Sequence, residues 1–191
     1  MKQEKCSKKS SKTVNKGFTL IELLVVVLII GILVAIALPN YQLAKDKAEF
    51  AKYQSTVASL HDAYNEYVLI HGEGTKNFDD LSFTMPNDFE NSYLGGMYNC
   101  ISNRDMFCCM SANDSSWYGL INCGKKDLSI IYVQYLLNAT SYSNRIGDRC
   151  IAETGNNRAN RLCSSVGTYE ENVNMWTPQG YNNSYNSYLL N

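Results

Sequence analysis

The sequence has little of what enzymes and nucleic-acid-binding proteins need at their sites. Histidine occurs only at His61 and His71, and no Ser-His-Asp or Cys-His grouping supports nucleophilic catalysis. The 17 basic and 18 acidic side chains leave no basic excess to neutralise phosphates, which argues against a nucleic-acid-binding protein. No Cys-x-x-Cys spacing occurs among the seven cysteines, which disfavours a zinc site. We therefore expect a protein that is not an enzyme and has no metal or cofactor.

Polar side chains are absent from residues 23–38, which excludes a uniformly soluble globule. The apolar stretch runs from Phe18 to Leu38, just before Pro39, and as a helix it would measure about 30 Å, the thickness of a bilayer's hydrocarbon core. Residues 1–17 hold six lysines and one glutamate, so we expect this end to stay cytoplasmic and the rest to be translocated. The alternative is a secretory signal peptide, which the length of the stretch and Glu22 within it disfavour.

Glu22 is the only charged residue between Phe18 and Leu38. A carboxylate in a membrane segment is costly and usually has a partner, yet this segment contains no lysine, arginine or histidine. Cleavage between Gly17 and Phe18 would create an α-amino group about one helical turn from Glu22, and this group would be largely protonated at neutral pH. Pairing of that amine with Glu22 of a staggered neighbour would order an array of parallel helices.

The segment Lys16-Gly17-Phe18-Thr19-Leu20-Ile21-Glu22-Leu23-Leu24-Val25 resembles the N-terminal motif of type IV pilins and pseudopilins. The resemblance implies that a prepilin peptidase cuts after Gly17 and methylates the new N-terminal Phe18, and that Glu22 directs filament assembly. Gly31 and Pro39 are weak points in any helix, because proline lacks the amide proton and glycine costs about 1 kcal/mol relative to alanine. The resemblance further implies that the segment from Gly31 to Pro39 loses helical order in a filament.

An apolar stripe continues beyond Pro39, and from Phe50 onward its spacings alternate between three and four residues, which indicates one face of a helix. The stripe consists of Leu43, Phe50, Tyr53, Val57, Leu60, Tyr64 and Tyr67. His71-Gly72 is a plausible helix end. We therefore predict one long helix over residues 18–71, whose first part, 18–38, is transmembrane and whose second part covers the core of a globular head.

The head, residues 72–191, is predicted to be irregular over 72–116 and to contain strands near 116–121, 129–137 and 149–153. A short helix is expected from Asn157 to Val166. A long helix on a small antiparallel sheet gives an α+β class, and the resemblance to pilins implies the same architecture. The tyrosine-rich, polar tail 168–191 is interpreted as an irregular surface segment partly packed on the sheet; the alternative is an exposed contact surface for adhesion or subunit packing.

Cysteine usage favours an exported head. Removal of the leader 1–17 would take Cys6 with it and leave six cysteines, an even number on the translocated side that suggests disulfides. We favour the pair Cys150–Cys163, which joins the last predicted strand to the short helix and resembles the disulfide-bounded loop near the C-terminus of many type IV pilins. The remaining four cysteines are expected to pair among themselves with partners left open: Cys100, Cys108, Cys109 and Cys123.

These features predict the precursor of a structural subunit of a type IV pilus. Its expected partners are identical or related pilin subunits, a prepilin peptidase and an inner-membrane assembly platform. It is expected first as a single-pass protein of the inner (cytoplasmic) membrane and then in an extracellular pilus. Two alternatives remain: a pseudopilin of a type II secretion system, and a membrane-anchored extracytoplasmic binding or enzymatic domain.

Overall fold

A computed structural model describes residues 17–94, 97–111, 119–136, 147–171 and 185–190. Three sequence predictions therefore lie outside the described residues: the leader up to residue 16 with Cys6, the first half of the strand 116–121, and the middle of the tail. The chain divides into two compact units, Met1–Tyr41 and Gln42–Asn191.

Helix α1 begins at Leu20 and ends at His71, and it is helical through Pro39. It starts two residues after the predicted position and ends at the predicted one. Its end follows from Gly72, which has a φ of 78° and donates its amide to the carbonyl of Val68 at 2.8 Å. A glycine accepts this left-handed conformation without a Cβ clash and so terminates the helix.

The large apolar side chains between Leu20 and Leu38 are between 48% and 82% exposed. Of the helices that the structure describes, α1 is long enough and apolar enough to cross a membrane. A contiguous apolar surface of this size requires a cover of lipid or protein.

From Gln42 onward, α1 buries one face inside the second unit. The buried apolar residues are Phe50, Tyr53, Val57, Leu60, Ala63 and Tyr64. All but Ala63 belong to the predicted apolar stripe, so the helical periodicity identified the buried face. The ring of Phe50 contacts the ring of Tyr132 edge to face, with centroids 5.8 Å apart, which places this face of α1 on the sheet.

Eight strands among the described residues form one antiparallel sheet. They are β1 Glu90–Leu94, β2 Met97–Ser102, β3 Met106–Ser111, β4 Leu120–Lys125, β5 Ile130–Tyr135, β6 Arg149–Glu153, β7 Gly167–Glu170 and β8 Tyr185–Leu190. Their order in the sheet is β1-β2-β3-β4-β5-β6-β8-β7. Helix α2, Asn157–Ser164, follows β6 and lies against β6, β7 and β8.

The long helix packed on an antiparallel sheet confirms the predicted α+β class, but the sheet is larger than predicted. The prediction of an irregular segment over 72–116 is wrong from Glu90 onward, where β1, β2 and the whole of β3 lie. Strand β3 has the sequence Met-Phe-Cys-Cys-Met-Ser and lacks the β-branched residues that signal a strand. Its pairing on both edges and its burial stabilise it instead.

The prediction of an irregular tail over 168–191 is also wrong at both of its ends. Strand β8 lies between β6 and β7 and pairs with both along its length. Tyr188 is buried there, where its hydroxyl lies 3.0 Å from Oδ1 of Asn160 and its ring contacts the ring of Tyr169. The tail carries few aliphatic residues, so its place in the sheet depends on backbone pairing and buried tyrosine.

Candidate processing and assembly site

Gly17, Phe18 and Thr19 precede the first helical residue, Leu20. Gly17 is exposed and Phe18 is 89% exposed. The peptide bond between them therefore lies in accessible, non-helical chain, as cleavage at this position would require.

Thr19 is the N-cap of α1, since its carbonyl accepts the first helical hydrogen bond from the amide of Leu23 at 3.3 Å. The amide and the hydroxyl of Thr19 both donate to Oε2 of Glu22, at 2.8 and 2.7 Å. The Glu22 amide donates in return to the Thr19 hydroxyl at 3.3 Å. This reciprocal arrangement is a capping box, and it satisfies amides that the helix start would otherwise leave unpaired.

The sequence analysis found no charged partner for Glu22 within its own segment and did not identify Thr19 as its hydrogen-bond donor. The signal was present, because Thr-x-x-Glu before an apolar run is the capping-box pattern. Both bonds from Thr19 use Oε2 of Glu22, and among the described residues Oε1 accepts no hydrogen bond. The cap therefore leaves one carboxylate oxygen free to accept from another chain.

Gly31 and Pro39 both lie inside continuous α1. A Cβ added at Gly31 would meet no atom within 4 Å, so nothing within the chain requires glycine there. Pro39 has no amide proton to donate to the carbonyl of Ala35. One residue further on, the side-chain amide of Asn40 donates to the carbonyl of Ile36 at 3.4 Å. The backbone hydrogen bond to the carbonyl of Ala35 is therefore missing from α1.

Three disulfides tie the second unit together. Cys150 on β6 is bonded to Cys163 on α2, which is the pair favoured from the sequence. Cys100 on β2 is bonded to Cys109 on β3, and Cys108 on β3 is bonded to Cys123 on β4. The last two bridges join residues that face each other directly across neighbouring strands.

The adjacent residues Cys108 and Cys109 bond in different directions because successive side chains of a strand point to opposite faces of the sheet. Cys108 and Cys123 belong to the apolar cluster that includes the buried face of α1. Cys109 and Cys100 belong to a second cluster around Phe107, on the opposite face. The sequence left these four partners open because it did not identify β2 and β3, and the register of those strands decides the pairing.

An ion pair between Arg158 and the buried Asp46 fixes α2 to α1 within the second unit. Nε and Nη2 of Arg158 donate to the two carboxylate oxygens of Asp46 at 2.7 and 2.6 Å. Asp46 is buried, whereas the Arg158 side chain is 60% exposed. The hydrogen bonds and the negative charge of Asp46 raise the pKa of the Arg158 guanidinium above its usual value. The disulfide and this ion pair hold α2 from two sides.

Among the residues that the structure describes, the two histidines take part in local contacts only. His61 Nδ1 lies 3.1 Å from the side-chain amide of Asn65, and the His71 ring stacks on Tyr67 with centroids 4.0 Å apart. Among the described residues, no group of three histidine, cysteine, aspartate or glutamate side chains is placed to hold a metal ion.

Comparisons with known proteins agree with the geometry of this N-terminus. The family model of the prokaryotic N-terminal methylation motif matches residues 12–38. A fimbrial protein of Neisseria meningitidis serogroup A is 38% identical over 82 residues, which are 43% of this chain and 48% of that protein. The type IV narrow pilus major component PilA5 of Thermus thermophilus is 35% identical over 100 residues, which are 52% of this chain and 83% of that protein.

The chain belongs to the type IV pilin family. A third relative, the type IV major fimbrial protein FimA of Dichelobacter nodosus, is 36% identical over 85 residues, or 44% of this chain and 53% of that protein. This pilin thus spans about half the length of its neisserial and Dichelobacter relatives. No solved structure shows a significant match to it.

Proposed function

We propose that this pilin is the precursor of a type IV pilus subunit, which a prepilin peptidase cleaves between Gly17 and Phe18 and methylates at Phe18. The observation that carries the proposal is the combination of accessible chain at Gly17–Phe18 with an exposed apolar helix that bears a single capped carboxylate. The methylation motif and the pilin relatives support it.

The exposed apolar surface of α1 supplies the attraction between subunits. Before assembly, lipid covers the side chains between Leu20 and Leu38; in a filament, the same side chains of neighbouring subunits cover one another. Within the membrane, close packing drives association of these helices, because lipid tails are as apolar as the side chains. Outside the membrane, mutual burial keeps this apolar area from water, which stabilises the filament over separated subunits by about 25 cal/mol per Å². This part of the chain therefore forms the centre of the filament, and the second unit forms its outside.

Glu22 sets the axial position of each subunit. Cleavage frees the Phe18 amine, and Oε1 of Glu22 accepts from the amine of an adjacent subunit while Oε2 keeps its bonds to Thr19. A charge-assisted bond in an apolar surrounding is strong, and an unpaired carboxylate there is costly. Only one stagger of the helices satisfies both charges.

The segment from Gly31 to Pro39 is where α1 loses helical order during assembly. Pro39 already removes one backbone bond there, and Gly31 favours the helix less than every residue of the segment except Pro39. Unwinding these residues lengthens the chain between the filament centre and the head, because extended chain spans more than twice the length of helix per residue.

The relatives favour a pilin over a pseudopilin, because they are named as fimbrial proteins or as pilus components. The assembly partner is then an inner-membrane platform that extracts subunits from the cytoplasmic membrane and adds them to a surface filament. A membrane-anchored binding domain would use Glu22 as a helix cap alone, and its carboxylate would need no partner from a second chain.

The experiment is to express the full chain in a cell with a type IV pilus machinery and to shear the surface. An antibody against residues 42–191 should label filaments in the sheared fraction. Deletion of the assembly ATPase should leave the chain in the inner membrane. Filaments that form without this chain, while the chain is abundant in the membrane, would contradict the proposal.

A further inference from the structure

A cavity of about 610 Å³ lies within the second unit, between the segment that follows α1 and the first two strands. Its lining comes from residues between Phe78 and Asn91 and from Ile101 of β2, which pairs with Asn91 of β1. This volume falls within the range of about 300–1,000 Å³ that is typical of small-molecule sites. Neither the processing site nor the apolar surface of α1 between Leu20 and Leu38 includes any of these residues.

The walls of this cavity are largely aromatic. They include three phenylalanine rings and one thioether, all half-buried and packed against the core: Phe78, Phe83, Phe89 and Met85. The local chain holds the first of these rings, because Asn77 caps a short 3-10 helix, Phe78–Asp80, by accepting from the amide of Asp79 at 3.2 Å. The face of an aromatic ring attracts a cation, so rings that line a cavity favour a positively charged ligand.

The charge around the cavity is negative. Residues 62–90 contain seven acidic side chains and one lysine, a net charge of −6. Asp79 and Glu90 line the cavity and are exposed. Among the described residues, neither carboxylate accepts a hydrogen bond or forms an ion pair, and no basic residue is part of the lining. Three other acids of this stretch are engaged by polar side chains: Glu66 by Ser82, Asp80 by Thr75 and Asp88 by Asn103.

Aromatic rings and unpaired carboxylates together favour one class of ligand. A guanidinium group is planar, weakly hydrated and always charged; it stacks on aromatic faces and donates two parallel hydrogen bonds to a carboxylate. A primary ammonium group also pairs with a carboxylate, but it is more strongly hydrated and therefore costs more to bring against the rings. An anionic group would be repelled by the acidic stretch around the cavity.

We propose that this cavity binds the alkylguanidinium group of an arginine side chain supplied by a partner polypeptide. The methylene stem packs on the phenylalanine rings and on Met85, and the carboxylates of Asp79 and Glu90 accept from the guanidinium N–H groups. The site lies within one subunit, so binding there does not depend on the proposed filament function. It gives the second unit a binding role beyond that of a building block.

The test is an NMR titration of the full chain in detergent micelles, with carbon-13 in the methionine ε-methyl groups and N-acetyl-arginine amide as the probe. The Met85 signal should shift and saturate with a Kd of about 1 mM, whereas the signals of the buried Met106 and Met110 should stay in place. N-acetyl-citrulline amide has the same shape without the charge and should bind about tenfold more weakly. No saturable shift of Met85, equal affinity for the citrulline compound, or tighter binding of N-acetyl-lysine amide would overturn the proposal.

Removing the two carboxylates provides a second readout in the same titration. The double variant Asp79→Asn/Glu90→Gln should bind the arginine probe about tenfold more weakly and the citrulline compound as wild type does, because only the charged probe uses the carboxylates. The matched control, Asp62→Asn/Glu73→Gln, removes two exposed charges from the same acidic stretch outside the cavity and should weaken binding less than about twofold. Equal losses in the two double variants would overturn the proposal, because overall charge alone would then attract the probe.

Discussion

Glu22 accepts from both the amide and the hydroxyl of Thr19, at 2.8 and 2.7 Å, through the same carboxylate oxygen. The residue that is costly in a membrane thus stabilises the start of the helix that carries it, before any neighbour is present. If this carboxylate caps α1 and also directs assembly as proposed, changes at Glu22 and at Thr19 have different consequences.

Replacing Glu22 by glutamine should separate charge from hydrogen bonding. The amide oxygen can still cap Thr19, but it cannot form an ion pair with a Phe18 amine. We expect cleavage and membrane insertion to be unchanged and the yield of sheared filament to fall at least tenfold, measured by immunoblot of the membrane and surface fractions. Filament yield at the wild-type level would show that the negative charge has no part in assembly.

Thr19→Val should weaken the cap and leave the carboxylate in place. Loss of an N-cap hydroxyl costs about 1 kcal/mol, so the first-turn amides should exchange with solvent about fivefold faster in detergent micelles. Hydrogen exchange of the amides near Glu22, followed by NMR, measures this effect. Thr19→Ser keeps the hydroxyl and serves as the control. Equal exchange rates in the valine and serine variants would show that the hydroxyl does not cap α1.

Removing the bridge between Cys150 and Cys163 should destabilise the second unit. By reducing the chain entropy of the unfolded state, a disulfide that closes a loop of this length stabilises the folded state by about 3 kcal/mol. The variant with both cysteines replaced by serine should therefore unfold at a lower urea concentration than wild type. Trypsin digestion without reduction should link peptide 150–158 to peptide 162–191, since cleavage follows Arg149, Arg158 and Arg161. A link from peptide 150–158 to peptide 105–125 instead would contradict the pairing.

Arg158→Ala should cost more stability than Arg161→Ala, although both arginines are exposed on α2. Arg158 neutralises the buried carboxylate of Asp46. Removing Arg158 leaves that carboxylate unpaired, which should lower the free energy of unfolding by about 1–3 kcal/mol. Arg161 has no such partner among the described residues, so its variant should stay within about 0.5 kcal/mol of wild type. Urea unfolding of the full chain in detergent compares the two. Equal stabilities would show that the bidentate pair does not hold α2 on α1.

Sequence reasoning succeeded where one strong physical signal determined the structure. The apolar run before Pro39 and the stripe from Phe50 to Tyr64 specify α1 by length and periodicity. The lone carboxylate of Glu22 within the apolar run indicated the candidate site. It failed for β1, β2 and β3, which contain a single β-branched residue, Ile101, and whose stability comes from pairing and burial. The partners of Cys108 and Cys109 depend on strand register, which is not a local property of the sequence.

The intact mass of the subunit in sheared surface filaments tests the central claim most directly. We expect one polypeptide that begins at Phe18, carries a single added methyl group and contains three disulfides. A subunit that retains residues 1–17, or a sheared fraction in which this chain is absent while it accumulates in the membrane, would contradict the account.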